Sequence, residues 1–165
     1  MIILRFALYL STMTKQIEIT RKTRLFLLDN LKDLTTEQFN KIPEGFNNNI
    51  IWNLGHMIAA QQGICYLRAR LPAHVSEEFI NNYKSGTKPE RALDAAEIEN
   101  IKSLLFTTLD QLEEDYNNKI WTSYPAWTTR YSVELASIDA AIDFLQFHEG
   151  LHSGCSTALK RLVTK

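Results

Sequence analysis

Hydrophobic side chains recur along most of this chain at intervals of three and four, and the rhythm breaks at a few polar stretches containing Gly or Pro. Apolar residues at i, i+3, i+4 and i+7 share one face of an α-helix. Leu27, Leu31 and Leu34, with Leu28 beside them, make such a stripe within a Gly- and Pro-free segment, so a first helix is expected from about Thr14 to Leu34. Thr35 followed by Gln38 has the form of a capping box for a short helical turn that Pro43 and Gly45 end. The run Asn47, Asn48, Asn49 offers N-caps for a second helix, about Asn49 to Leu71, which Pro72 stops. Its apolar positions fill two faces, one with Ile51, Leu54, Ile58 and Cys65, the other with Trp52, His56, Ala59, Gly63 and Leu67. A helix apolar on both sides is buried between neighbours. Met57 and Ile64 on its remaining side point to a further contact, another subunit being one candidate.

A polar stretch with Gly86 and Pro89 follows. Asp94 with Glu97 then reads as a cap, opening a third helix from about Ala95 to Tyr116 with a seam of Ile98, Ile101, Leu105, Leu109 and Leu112. The segment from Asn117 to Ala136 is aromatic and irregular, with Trp121, Tyr124, Pro125, Trp127 and Tyr131, and is expected to form a long loop or a short extended piece, of which Trp121, Trp127 and Tyr131 are candidates to help cover a site. The last helix spans about Ile138 to Val163. Its inward stripe is Ile138, Ala141, Leu145, His148, His152, Cys155, Leu159 and Leu162. Four long helices with substantial connections predict an all-α, up-down four-helix bundle with long connecting loops.

Composition changes little in this picture. The 165 residues suit one domain, and 45% hydrophobic with 22% charged residues permits a core. A net charge of -1, with no clustered basic face, argues against a nucleic-acid partner. Cys65 and Cys155 are too few for a disulfide framework and are read as reduced thiols, which suggests a cytoplasmic protein. Residues 1–13 stand apart. Met1 to Leu10 is apolar except for Arg5, too short to span a bilayer, and lacks a small-residue cleavage site. The expectation is that translation starts at Met13. The alternative is a short extra segment packed on a domain of residues 14–165. No other segment is apolar enough for a membrane helix.

The chemistry lies in the histidines. His148 and His152 occupy core positions of the last stripe, four residues apart and so about 6 Å along the axis. Two imidazoles so placed can reach one metal ion. A buried polar group without a partner costs roughly 1–3 kcal/mol, which makes a shared ligand economical. His56, on a largely apolar face of the second helix, also needs a partner, and bundles build metal sites from facing helices. Three nitrogens with an open position is a catalytic type of site, and imidazole suits zinc, nickel, copper or iron. His74, beside Pro72, is expected in solvent. His148, Glu149 and His152 also spell H-E-x-x-H, the zinc-protease pattern. The context speaks against a protease, because Cys155 stands where the extended motif has glycine and no further glutamate follows. Glu149 is a candidate general base or a carboxylate behind the ligands, with a solvated helix residue as the alternative. Cys155 reads as a small core residue, with an extra ligand or a reactive thiol as the alternative, and Trp52, one turn before His56, as a wall of the site or plain core.

The segments Ile50 to Met57 and Phe144 to His152 resemble the two signature regions of the DinB-like superfamily, also called YfiT-like, and Phe79 to Pro89 is similar to one branch of it. The resemblance covers most of the chain from Thr14 onward. It implies a four-helix bundle in which His56, His148 and His152 hold a divalent metal, with zinc or nickel favoured, and it implies a homodimer. Activities in relatives are thiol-dependent S-transfer and isomerisation, and other members are described as metal-dependent hydrolases. The implied function is therefore an S-transferase or hydrolase acting on a small molecule, with a low-molecular-weight thiol as partner. The competing reading is a non-catalytic stress-response or binding module.

Overall fold

The computed structural model describes the backbone from Ile2 to Lys165 and side chains from Lys15 onward, so the expectation for residues 1–13 lies outside the side chains described. The elements in chain order are α1 (Ile2–Leu31), α2 (Thr36–Asn40), α3 (Ile50–Cys65), α4 (Glu77–Tyr83), α5 (Ala95–Asn117), β1 (Trp127–Thr128), β2 (Glu134–Leu135) and α6 (Ile138–Val163).

The helix starts follow from side-chain chemistry. The Thr35–Gln38 and Asp94–Glu97 capping boxes both form, and Asn49 accepts the Trp52 amide to open α3. Ser137 caps α6 through the Ala140 amide. α3 ends a turn and a half before the expected stop at Pro72. A single 3-10 turn, Leu67–Ala69, follows it, and Arg70 adopts a left-handed conformation with φ 60°. The Leu71 amide bonds back to the Tyr66 carbonyl there. α4 interrupts the stretch read as merely polar, with Ser76 as its cap.

The four long helices form the expected bundle. α1 lies against α6 and α5, and α3 lies against the same two. The ring is therefore α1, α6, α3, α5, and the connections 32–49 and 118–137 carry the chain across its diagonals. These connections are long because each must cross the bundle. α3 has thirteen of its 16 residues buried, as its two apolar faces require. Met57 is wholly buried within the chain, so it is not available to another subunit. At the end of α6 the inward position is Val163, and Leu162 is exposed.

The core falls into two apolar halves. One gathers around Leu27, Leu54, Ile58, Ile101, Leu105 and Leu159, and the other around Ile17, Cys65, Leu109, Leu112 and Leu145. Between them each long helix contributes a buried polar residue: Arg24, Gln61, Thr108 and Glu149. Arg24 and Glu149 form a bidentate ion pair, Nε to Oε2 at 3.0 Å and Nη2 to Oε1 at 2.6 Å. The remaining guanidinium nitrogen donates to the Leu105 carbonyl, and Gln61 donates to the Thr108 carbonyl at 2.8 Å. The pair thus ties α1, α6 and α5 together at mid-height.

Candidate metal centre

α3 and α6 are neighbours, and the residues they present to each other include His56, His148 and His152. One nitrogen from each lies within 4.8 Å of the other two. Ring centroids are 5.1 Å apart for His56 and His148, 4.5 Å for His56 and His152, and 4.6 Å for His148 and His152.

Neighbours fix how two of these rings carry their protons. His56 Nδ1 is 2.6 Å from the Tyr83 carbonyl oxygen. A carbonyl only accepts, so Nδ1 holds the proton and Nε2 presents its lone pair. Tyr83 comes this close because residue 55 is glycine: a Cβ there would stand 2.4 Å from the Tyr83 ring. His152 Nδ1 is 2.9 Å from Asn53 Oδ1. The Asn53 amide nitrogen donates to the Asn49 carbonyl at 2.8 Å and to Asn48 Oδ1 at 3.3 Å, which turns its oxygen toward the histidine. His152 therefore donates from Nδ1 and keeps its Nε2 lone pair. Trp52 stacks flat on His56, with centroids 4.9 Å apart and planes 7° from parallel, and its indole N–H donates to Thr87.

What remains is a set of unmet nitrogens. His148 Nδ1 and His152 Nε2 are buried and have no hydrogen-bond partner among the described residues. Buried polar atoms are normally paired, and leaving one unpaired costs about 1–3 kcal/mol. Burial is the main cause that lowers all three histidine pKa values. His148 is held down at about 3, with the charges of His152 and His56 adding to burial. His152 is held at about 4, and His56 is lowered although its bond to Tyr83 acts in the opposite direction. At neutral pH the cluster is three uncharged imidazoles with lone pairs available, the state that a metal requires. The buried triad can coordinate a divalent ion, and its all-nitrogen character does not choose between zinc and nickel.

The other residues singled out in the sequence lie as follows. Glu149 is buried, not solvated, and both its oxygens engage Arg24 on α1. Cys155 is half-buried and Cys65 fully buried. Burial pushes both thiols up, and neither joins the cluster. His74 is not simply solvated: its Nε2 lies 2.8 Å from Asp115 and its ring edge meets Tyr66, away from the other histidines. Trp121 donates to the Cys65 carbonyl, and Arg68 lies over Trp127, so both tryptophans serve the C-terminal end of α3. Tyr131 packs on Phe144 and Phe147 of α6. A cavity of about 570 Å³ borders Trp52, Tyr83 and Thr87, but none of the three histidines lines it.

Asn53, Tyr83 and Arg24 escaped the sequence reading. A glycine in the middle of a buried helix, Gly55, was the signal for a close approach by something, though not by Tyr83. An asparagine between Trp52 and Leu54 in an almost wholly buried helix was the signal for a hydrogen-bonding role.

Comparison with known proteins agrees with this arrangement. A family model described as the DinB superfamily matches residues 16–156, a span that contains all three histidines. No curated protein matches the chain.

Proposed function

The chain belongs to the DinB superfamily, and from that premise we propose that it is a metal-dependent enzyme acting on a small molecule, by thiol S-transfer or by hydrolysis. The observation that carries the reading is the pair of orphaned buried nitrogens, on His148 and His152, facing a third imidazole already oriented by Tyr83. In this reading His56, His148 and His152 hold a zinc or nickel ion. A divalent ion there would lower the pKa of a thiol or water offered to it. The protein's own groups do the positioning. Trp52 fixes the His56 ring and walls the site, and Asn53 and the Tyr83 carbonyl hold two imidazoles in the tautomers that ligation needs. Glu149 holds α6 to Arg24 of α1, since a base role would require breaking a buried ion pair. The reaction partner is a low-molecular-weight thiol or a hydrolysable small molecule, in the cytoplasm.

The bundle also carries the expected homodimer in this reading. A groove of about 500 Å³ between α1 and α6 is rimmed by Ile19 and Phe26 and floored by Gly150, Gly154 and Ala158. Phe26 is 75% exposed, a large apolar side chain more simply explained by a partner than by solvent.

A second reading, a non-catalytic binding module, draws on one observation: the carboxylate beside the histidine pair is committed to Arg24 through both oxygens and is not free to act as a base. One assay separates the two. Metal-reconstituted protein is incubated with a panel of small thiols and an activated aryl halide, and separately with an activated ester alone. A metal-dependent rate above background, lost in His148→Ala, supports the enzyme. Metal uptake with neither rate raised supports the binding module.

A further inference from the structure

His56 is supported at two points by one stretch of chain, α4 and the loop after it. At the end of α4 the Tyr83 carbonyl accepts from its Nδ1 at 2.6 Å. Four residues on, Thr87 accepts the Trp52 indole N–H at 3.2 Å, and Trp52 lies flat on the His56 ring. Thr87 is itself set by the loop, its hydroxyl lying 2.9 Å from the Asn82 carbonyl and 2.8 Å from the Lys84 carbonyl. Trp52, Tyr83 and Thr87 all line the cavity of about 570 Å³, which lies between this stretch and the first turns of α3 and α5. A molecule held there touches every support of His56 on this side and no histidine.

The lining indicates the chemistry of the occupant. Its volume is in the range of small-molecule sites. Three aromatic side chains border it, Trp52, Phe79 and Tyr83, with the last two rings 4.7 Å apart. Of its charged residues, Arg91 and Glu97 satisfy each other, with one bond at 2.8 Å. Glu78, Glu90 and Lys88 make no ion pair among the described residues. Two uncommitted carboxylates against one ammonium leave the lining with an excess of negative charge. Aromatic faces attract cations, and unpaired carboxylates at the same cavity act in the same direction.

α4 has no fully buried residue, so its docking on α3 is the weakly held part of the arrangement. A ligand that bridges Phe79 and Tyr83 of α4 to Trp52 of α3 favours the docked state, in which the Tyr83 carbonyl and Thr87 are in place.

We propose that this cavity is a second ligand site, for an organic cation with an apolar body, and that its occupation tightens metal binding at the three histidines through Trp52 and Tyr83. The coupling rests on the metal-centre reading, and the cavity's own ligand does not.

Calorimetric titration of the full, metal-free chain tests the cavity. The probes are benzyltrimethylammonium, which has no lone pair to offer a metal, and N,N-dimethylbenzamide, a neutral molecule of similar size. The wild type is expected to prefer the cation about two- to thirtyfold, the range for cation–π contact. Phe79→Leu, and the double variant Glu78→Gln, Glu90→Gln at two exposed positions, are each expected to reduce that preference. Competition against a chromophoric chelator then measures zinc affinity with and without saturating cation. Zinc is expected to bind about fivefold more tightly with it, and the cation to bind zinc-loaded protein more tightly by the same factor. No binding of the cation, equal affinity for both probes, or a preference intact in both variants overturns the site. A preferred cation that leaves zinc affinity unchanged or weaker overturns the coupling. A wild type that takes no zinc overturns the metal centre and the coupling with it, while the titration of the metal-free chain still decides the cavity.

Discussion

Asn53 and the three imidazoles divide the work at the scale of single residues: the histidines supply lone pairs, and the neighbour decides which nitrogen carries one. Replacing Asn53 by Leu removes the acceptor at His152 Nδ1 without changing a ligand. Metal affinity is expected to fall about ten- to a hundredfold, the usual cost of losing such a partner, with the helical circular dichroism unchanged. Competition against a chromophoric chelator measures it. Protonation acts on the same atoms. The folded-state pKa values of His148 and His152, about 3 and about 4, lie below the unfolded value of 6.5. The unfolded chain therefore binds more protons between those values, and stability is full above pH 6.5 and declines as pH falls toward 4. Denaturant melts of the metal-free protein across that window should show the decline, and a midpoint independent of pH would contradict the burial of neutral imidazoles. The three histidines were legible from the sequence because each breaks an apolar stripe at a ligand-compatible spacing. Their partners were not. Tyr83 acts through a backbone carbonyl, which no side-chain pattern reveals.

Among the elements, the long amphipathic helices were readable and the short ones were not. α6 spans Ile138 to Val163 as expected, although its last inward position is Val163 and not Leu162, and the capping boxes of α2 and α5 form as written. α4 was hidden because none of its residues is fully buried, so no periodicity marks it. It matters because it ends at Tyr83. Glu149 shows the same limit on α6: one step off the apolar stripe, it reads equally as a carboxylate of the site or a solvated residue until Arg24 of α1 is known to face it. That pair makes an element-scale prediction. Glu149→Gln leaves a buried guanidinium without its counter-charge and is expected to destabilise the bundle by about 3–5 kcal/mol. The double variant Arg24→Met, Glu149→Leu removes both charges and is expected to recover most of that loss. Urea denaturation of the three proteins tests the pair, and a double variant as unstable as the single one would contradict it.

For the whole molecule, the ring order α1, α6, α3, α5 places the histidines on one pair of neighbours and leaves the α1–α6 groove on another flank. Among the described residues no helix is long and apolar enough to cross a membrane, so the exposed apolar rim is not part of a span. If the rim is a dimer contact, light scattering should give twice the 19.0 kDa chain mass for the wild type, and Phe26→Glu should give a monomer that still binds metal. A wild-type monomer would remove the dimer and leave the histidine centre untouched.

The central claim is the metal centre itself, and elemental analysis of protein purified without a nickel column tests it most directly. The wild type is expected to carry about one divalent ion per chain, as a three-histidine site does, and His56→Ala and His148→Ala to carry almost none. A wild type that holds no metal, even after zinc, nickel or manganese is added back and the excess removed, would contradict the account.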